Sequence, residues 1–334
     1  MGDRDEVALQ YDLFGAPTEI RPRPRIAEPS PLDGRNPYLV TGPACLSFSG
    51  GLTSAYMVRK TLDAHNGRLP PDVHILFENT GKERPETLDF ISECAVRWGA
   101  YVRWLERDPD AETGFREVDY ETASRQGEPF AALNESKKYL PNSRARFCTQ
   151  ELKIEVMRGF MRAEGYEHWT NVVGLRRDEA RRVHDMRSQD PDQWDLSFPL
   201  YEAGVRKLHI GEFWLAQPFR LALEPWEGNC DLCFLKGLKK RERIMRDRPD
   251  LVPWWADQEK ARRARFHAHE PGYAATLDRV RHLPMIGDPV EDDDTIPCFC
   301  TERRQRSRCT CGKRRGAGHA LWCAMVLGPE RRAA

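Results

Sequence analysis

Hydroxyl residues and two adjacent glycines stand together at 47–54, in the order Ser-Phe-Ser-Gly-Gly-Leu-Thr-Ser. A glycine pair permits a tight turn that leaves backbone N–H groups uncovered, and the start of a helix adds a partial positive charge. With the hydroxyl donors, these groups can hold phosphate, pyrophosphate or sulfate. The predicted anion-binding residues are Ser47, Ser49, Gly50, Gly51, Thr53 and Ser54. The longer Gly-x-x-x-x-Gly-Lys-Ser/Thr loop is absent, which argues against P-loop NTPase chemistry, and a plain strand-to-helix turn is the structural alternative.

Two more polar segments follow predicted strands. The first is Asn79-Thr80-Gly81-Lys82-Glu83, and the second is Gly174-Leu175-Arg176-Arg177-Asp178-Glu179, which continues to Arg182. Several guanidinium groups at one strand end suit a phosphate or sulfate, which they can hold bidentately. Asp178 or Glu179 could orient these arginines or hold a metal ion such as Mg²⁺. Solvated polar loops are the alternative interpretation of both segments.

Ten cysteines are many for a reducing compartment, so clustered ones indicate metal or redox sites rather than disulfides. Cys230 and Cys233 form a Cys-x-x-Cys pair whose sulfurs could bind one metal centre. Four more thiols could close a second, zinc-type site in the C-terminal tail, or act as exchange thiols: Cys298, Cys300, Cys309 and Cys311.

The elements that must position these residues alternate between strand and helix. Strands are predicted at 44–48, 73–77, 101–105, 169–174 and 196–200, and helices at 55–64, 86–98 and 150–163. This alternation predicts an α/β fold with a doubly wound, mostly parallel sheet, whose ligands lie at the carboxyl ends of the strands. We expect four regions: an extended N-terminal tail (1–43), a nucleotide-binding α/β domain (44–204), a helical region with the Cys-x-x-Cys pair (205–287) and a Cys/Arg-rich tail (288–334).

Five blocks, taken in order and spacing, resemble the phosphoadenosine phosphosulfate (PAPS) reductase-like branch of the adenine nucleotide alpha-hydrolase (PP-loop) superfamily. The resemblance covers roughly residues 44–237. The blocks are the glycine-rich segment, Phe77 to Thr87, Arg146-Phe147-Cys148-Thr149-Gln150-Glu151-Leu152-Lys153, Gly174 to Glu179, and Cys230 to Cys233.

The resemblance implies a role for each block. Asn79, Thr80 and Gly81 would lie beside the adenosine of ATP or PAPS, while Lys82 and Arg176 would act on the reacting phosphate or sulfate. Cys148 would lie near the nucleotide as a catalytic residue and would join Cys230 and Cys233 in holding a 4Fe-4S cluster with one iron free of protein ligands, as in tRNA thiolation enzymes of this superfamily. A zinc site and unliganded buried cysteines are the alternatives.

Two departures from the family pattern bear on the substrate. Many ATP-using members carry Asp where this chain has Thr53, so the choice between ATP and PAPS as the nucleotide is left open. The C-terminal Glu-Cys-Gly-x-His motif of PAPS reductases is missing, which weighs against a thioredoxin-coupled reductase.

Composition and short motifs indicate the surroundings in which the protein works. The numbers of acidic and basic residues are equal, so the net charge does not indicate a binding partner. The absence of a long apolar stretch predicts a cytoplasmic protein without a membrane span. The segment from Gln10 to Phe14 resembles the peptide with which bacterial replication proteins dock on the sliding clamp. The basic segment Lys236–Arg248 and the arginine-rich tail favour a nucleic-acid substrate.

The leading hypothesis is an enzyme that uses ATP to adenylate a nucleic-acid substrate and replaces the activated oxygen with sulfur, with an iron–sulfur cluster. Reduction of PAPS or adenylylsulfate to sulfite is the rival activity. A nucleotide-binding accessory protein tethered to the sliding clamp is the non-catalytic alternative.

Overall fold

The computed structural model describes residues 34–188, 193–224, 226–228 and 230–282, together with the backbone of residues 9–11 and 17–19. The first two strands, β1 (Leu9–Tyr11) and β2 (Pro17–Glu19), pair antiparallel with each other. The predicted N-terminal tail therefore contains a short two-stranded sheet. The core also begins before residue 44, because Val40 is 6% exposed and packs within it.

Six strands form the main sheet: β3 (Ala44–Ser47), β4 (Val73–Glu78), β5 (Val102–Arg107), β6 (Phe115–Val118), β7 (Trp169–Val172) and β8 (Trp194–Ser197). Their order is β6-β5-β4-β3-β7-β8, and every pair is parallel except the edge pair of β5 with β6. The chain builds outward from β3 on one side through β4 and β5, and later adds β7 and β8 on the other side. The order therefore reverses beside β3, which is where open α/β sheets bind ligands.

Both faces of this sheet are covered, and the described ranges contain eleven α-helices. They are α1 (Leu52–Ala64), α2 (Pro85–Trp98), α3 (Glu128–Lys137), α4 (Phe147–Thr149), α5 (Glu155–Ala163), α6 (Ala180–Arg187), α7 (Pro199–Glu202), α8 (Lys207–Leu215), α9 (Leu238–Asp247), α10 (Val252–Arg262) and α11 (Tyr273–His282). A π-helical segment, Gln150–Ile154, joins α4 to α5. The alternating side chains of β3 show the two layers: Ala44 and Leu46 pack with α1 and α2, whereas Cys45 packs with α5. The predicted doubly wound α/β fold is confirmed.

The fifth predicted strand is displaced along the chain. It was expected at 196–200 and lies at Trp194–Ser197, because Pro199 starts α7 instead of extending the strand. Helices α8 to α11 lie within residues 207–282, and α3, α9, α10 and α11 share an apolar cluster with the segment that carries Cys233. No helix in the described ranges is long and apolar enough to cross a membrane.

Candidate functional site

The glycine-rich turn leaves the carboxyl end of β3 and packs tightly on α2. Gly50 has a φ of +75°, and a Cβ atom there would lie 2.5 Å from Thr87 Cγ2 and 2.8 Å from Ile91 Cδ1. Both the backbone and the neighbouring helix therefore require glycine at this position. Gly51 differs, because its φ of −92° is accessible to any residue.

The hydroxyl groups and the helix end around this turn form a cradle, in which Ser49 is half-buried and Ser54 is buried. Gly51 is the N-terminal cap of α1, and no side chain in the described part of the chain caps that helix. Ser49 Oγ and Ser54 Oγ lie 3.0 Å apart, and Ser54 also bonds the carbonyl oxygen of Gly51 at 3.0 Å. Uncovered first-turn amides beside two hydroxyls suit an anion. Ser47 is placed differently: its hydroxyl donates to Asn171 Oδ1 at 3.0 Å, between two strands of the sheet.

Arg176 faces the cradle from the strand on the other side of the order reversal. It follows β7, and its guanidinium donates to Thr53 Oγ1 at 3.2 Å and to Asp178 Oδ1 at 3.0 Å. Glu179 accepts a bond from the Arg176 amide at 3.1 Å and pairs with Arg182. The two carboxylates thus orient the arginines, which was one of the two predicted roles. The structure therefore brings Thr53, Arg176, Asp178, Glu179 and Arg182 together.

The second predicted ligand loop, which leaves β4, turns its polar groups inward. Asn79 is fully buried, and its amide nitrogen donates to Glu106 at 2.6 Å and to the Ser124 carbonyl at 2.8 Å. Its amide oxygen accepts a bond from the Gly81 N–H, while Thr80 bonds Glu83. The predicted contacts of Asn79 and Thr80 with a nucleotide stay predictions, since protein partners hold these groups here.

Lys82 joins the β4 loop to the cysteine-bearing segment. Its ammonium group lies 2.8 Å from Asp231 Oδ2 and 4.8 Å from the centre of the Trp254 ring, and its side chain is 8% exposed. Asp231 also accepts a bond from Trp255 Nε1 at 2.8 Å, and its amide bonds the Lys82 carbonyl. The expected role of Lys82, neutralising an oxyanion, stays a prediction. In this structure its charge is paired with Asp231.

Two more contacts fix the same two segments together. Glu83 forms a β-bridge with Cys230, and Arg84 pairs with Glu227 at 3.1 Å. Three consecutive loop residues, Lys82 to Arg84, are therefore attached to the segment 227–231. Asp231 and Glu227 were not among the site residues predicted from the sequence. The signal for Asp231 was its place inside the Cys-x-x-Cys pair.

The thiols of Cys230 and Cys233 are in contact. A hydrogen bond from Cys233 is the main cause that lowers the pKa of Cys230, and Lys153 and Lys236 lower it further. Cys148 lies in α4 and borders the apolar cluster that also contains Cys233.

The ligand set of the predicted metal site is incomplete in this structure. Within the described ranges, no three His, Cys, Asp or Glu side chains form a group that could hold a metal ion. Two of the three predicted cluster ligands, Cys230 and Cys233, are thus placed together without the third. The predicted second site, Cys298 to Cys311, lies outside the described residues.

The basic segment Lys236–Arg248 does not present all its charges to solvent. Lys236, Lys240 and Arg241 are 5%, 1% and 2% exposed. Lys236 bonds the carbonyl oxygen of Cys230, and Arg241 pairs with Glu270. Part of the expected nucleic-acid-binding surface therefore lies inside the helical region, beside the cysteine pair.

The expected sliding-clamp motif is only partly within the described residues. Gln10 and Tyr11 belong to β1, opposite Thr18 and Pro17 of β2. Asp12 to Phe14 lie outside the described residues. Binding of the motif to a sliding clamp stays a prediction.

No family model matches the chain. The uncharacterized nin region protein ORF290 of Escherichia phage lambda is 29% identical over 204 residues, which cover 58% of this chain and 67% of that protein. The chain is similar to the phosphoadenylyl-sulfate (PAPS) reductase from Candida auris in a phosphate complex, with 15% identity, a TM-score of 0.35, and coverage of 55% of this chain and 80% of that one. It is also similar to the U34-tRNA thiolase NcsA from Methanococcus maripaludis with its 4Fe-4S cluster, with 12% identity, a TM-score of 0.30 and coverage of 72% of each chain.

Proposed function

We propose that this chain is an enzyme that binds an adenine nucleotide through the glycine-rich turn and transfers sulfur to a substrate. One observation carries the proposal: the cradle of Ser49 and Ser54 at the uncapped start of α1 lies beside Arg176, which bonds Thr53, where the strand order reverses between β3 and β7. Amides, hydroxyls and a guanidinium that converge at this place in an α/β sheet suit the phosphates of a nucleotide.

The reaction we favour is adenylation of a nucleic-acid substrate followed by thiolation. A carbonyl oxygen of a base attacks the α-phosphorus of ATP, the bond to pyrophosphate breaks, and pyrophosphate occupies the cradle. A hydrosulfide then attacks the activated carbon, and AMP leaves with the oxygen. Arg176 and the first-turn amides of α1 would stabilise the charge of the leaving pyrophosphate.

A 4Fe-4S cluster held by Cys148, Cys230 and Cys233 belongs to the same proposal. When bound, it would supply the sulfide. The contact between the two thiols supports anionic sulfur at this point, as do Lys153 and Lys236, which lower the pKa of Cys230. Cys148 would have to complete the ligand set. Zinc remains the alternative metal, and anaerobic purification followed by iron, sulfide and zinc analysis decides between them.

The activity itself is tested by product analysis with the anaerobically purified full chain. Release of pyrophosphate from ATP, dependent on RNA or DNA and on sulfide, is the expected result. Release of sulfite from PAPS would replace the proposal with the rival reductase activity. Tight ATP binding with no product from either nucleotide would point to an accessory protein. The variant Arg176→Gln should reduce turnover. The control variant Arg181→Gln replaces an exposed arginine of the neighbouring helix α6 and should leave turnover unchanged.

A further inference from the structure

A second polar pocket lies at the same edge of the sheet as the proposed nucleotide site. Its volume is about 410 Å³, and it lies between the loop that follows β5 and one side of α5. Three arginines line it, namely Arg107, Arg158 and Arg162, and we call it the arginine pocket. Because β5 runs parallel to β4 and ends at Arg107, the pocket opens at the carboxyl edge of the sheet.

The packing of the arginine pocket indicates a built feature. A Cβ atom at Gly159 would lie 2.5 Å from the carbonyl oxygen of Thr113, so this glycine lets the β5–β6 loop approach α5. Arg158 is held on the ring of Trp194 at 5.2 Å and by Glu155 at 2.6 Å. Its Nε is buried and has no hydrogen-bond partner among the described residues.

The charges of the pocket leave capacity for an anion. Glu155 is used by Arg158, and Glu151 is used by Lys137 at 2.5 Å. Arg107 reaches Glu151 only at 4.0 Å. The exposed Arg162 guanidinium makes no ion pair with any carboxylate in the described ranges.

An exposed aromatic ring, that of Tyr139, lies between the arginine pocket and Cys148. We call the surface from the arginine pocket through Lys137 and Tyr139 to Cys148 the strip. Lys137, which bonds Glu151 beside the pocket, ends α3, and Tyr139 follows it two residues later. Tyr139 is 46% exposed, and its ring contacts the ring of Phe147 at 4.8 Å, next to Cys148. Cations that alternate with an exposed aromatic ring are the features with which proteins hold single-stranded nucleic acids.

We propose that the arginine pocket and Tyr139 form a subsite for a single-stranded polynucleotide: the arginines hold a backbone phosphate and Tyr139 stacks on a base. The assignment of this strand as the substrate rests on the proposed function, because the strip runs from the pocket to Cys148. The binding itself does not depend on it.

The test measures binding of a short, labelled single-stranded oligonucleotide, as RNA and as DNA, to the full chain at several salt concentrations. Arg162→Gln should weaken binding about fivefold. It should also make the negative slope of log affinity against log salt shallower by about 0.7, because one phosphate contact is lost. Tyr139→Ala should weaken binding about tenfold with no change in that slope, because a stacked base is lost. ATP affinity should stay unchanged in both variants.

Arg68→Gln is the matched control. Arg68 is also exposed and without an ion pair among the described residues, and it lines a smaller pocket near the amino ends of β4 and β5. The Arg68→Gln protein should bind the oligonucleotide with the same affinity as the wild type.

Each contrary result has a separate meaning. Wild-type oligonucleotide affinity in both Arg162→Gln and Tyr139→Ala overturns the subsite. A chain that binds inorganic pyrophosphate through Arg162 but binds no oligonucleotide also overturns it, in favour of a small phosphate ligand. Oligonucleotide binding through this strip with no pyrophosphate release from ATP leaves the subsite standing and contradicts the proposed function instead.

Discussion

The loops that leave β3 and β4 lie at the same edge of the sheet, yet their polar groups differ in how far protein partners occupy them. The β3 loop leaves the first-turn amides of α1 without a side-chain cap, although Ser54 beside them is buried and donates to the Gly51 carbonyl. The β4 loop buries Asn79 and Lys82 and bonds both to the protein. Similar polar sequences at neighbouring strand ends therefore serve different purposes: the first suits a ligand, and the second connects two parts of the protein.

Removing the charge of Lys82 should have the largest effect on the β4 loop. Lys82→Met leaves Asp231, which is 3% exposed, without its cation, so the free energy of unfolding should fall by about 3–5 kcal/mol. Arg97→Met breaks an exposed ion pair with Glu93 and should cost less than about 1 kcal/mol. Denaturant unfolding of both variants checks this. A stable Lys82→Met protein that has lost its ATP affinity would show that the β4 loop binds the ligand after all.

Glu78, the last residue of β4, should give the protein a pH dependence. Burial raises the pKa of this carboxyl from its ordinary value of 4.5 to about 7, while Lys153 opposes the rise. Between these values the folded chain keeps a proton that the unfolded chain has released, so stability should fall as the pH rises from about 4.5 to about 7. The loss amounts to roughly 3 kcal/mol.

Denaturant unfolding at pH 5 and at pH 8 measures this dependence, with Glu78→Gln as the comparison. The variant should lack this part of the pH dependence, since its side chain does not titrate. An equal pH dependence in both proteins would assign it to other groups.

Asn79→Ala tests the β4 loop on a smaller scale. The substitution takes a hydrogen bond from Glu106, which is fully buried, and should lower the unfolding free energy by about 1–3 kcal/mol. ATP affinity of the folded protein should not change. A selective loss of nucleotide affinity, with normal unfolding, would restore the predicted contact between Asn79 and the nucleotide.

Gly51 gives the opposite test for the β3 loop. Its φ of −92° accepts a side chain, so Gly51→Val should fold nearly as the wild type does. The added bulk beside the uncovered amides should weaken ATP binding about tenfold, or about 1.4 kcal/mol. Titration calorimetry measures the affinity. Unchanged binding of both ATP and PAPS would remove the cradle from the proposed site.

Much of the fold was predictable because the apolar pattern changes period between its strands and helices. The segments at 44–48, 73–77 and 86–98 match the observed elements within one residue. The edge strand β6 was missed because Arg116 and Glu117 are both exposed, so it lacks an apolar face. Helix α3 was missed because its hydrophobic residues do not keep to one side, and one of its polar residues, Asn134, is buried by tertiary contacts.

The sequence predicted which chemical groups the site contains, but not the directions in which their side chains point. The chemistry of the cradle and of the cysteine pair follows from glycine, hydroxyl and thiol groups at short spacing. The direction of Asn79 and Lys82 does not, because Glu106 and Asp231 lie far from them in sequence. Lys240 and Arg241 looked like surface charges for the same reason, since only the packing of the helical region buries them.

The position of β3 at the centre of the sheet also affects how the protein is made. One neighbour, β7, lies far downstream, with Ser47 and Asn171 separated by 124 positions in the chain. At about 5–20 residues per second, a ribosome needs roughly 6–25 s to supply that neighbour. During this time Cys45 and Leu46 have an unpaired strand edge in the nascent chain, which invites association with other chains. A message truncated before residue 169 should therefore yield an aggregating product, and slower translation of the α5 region should lengthen the exposure.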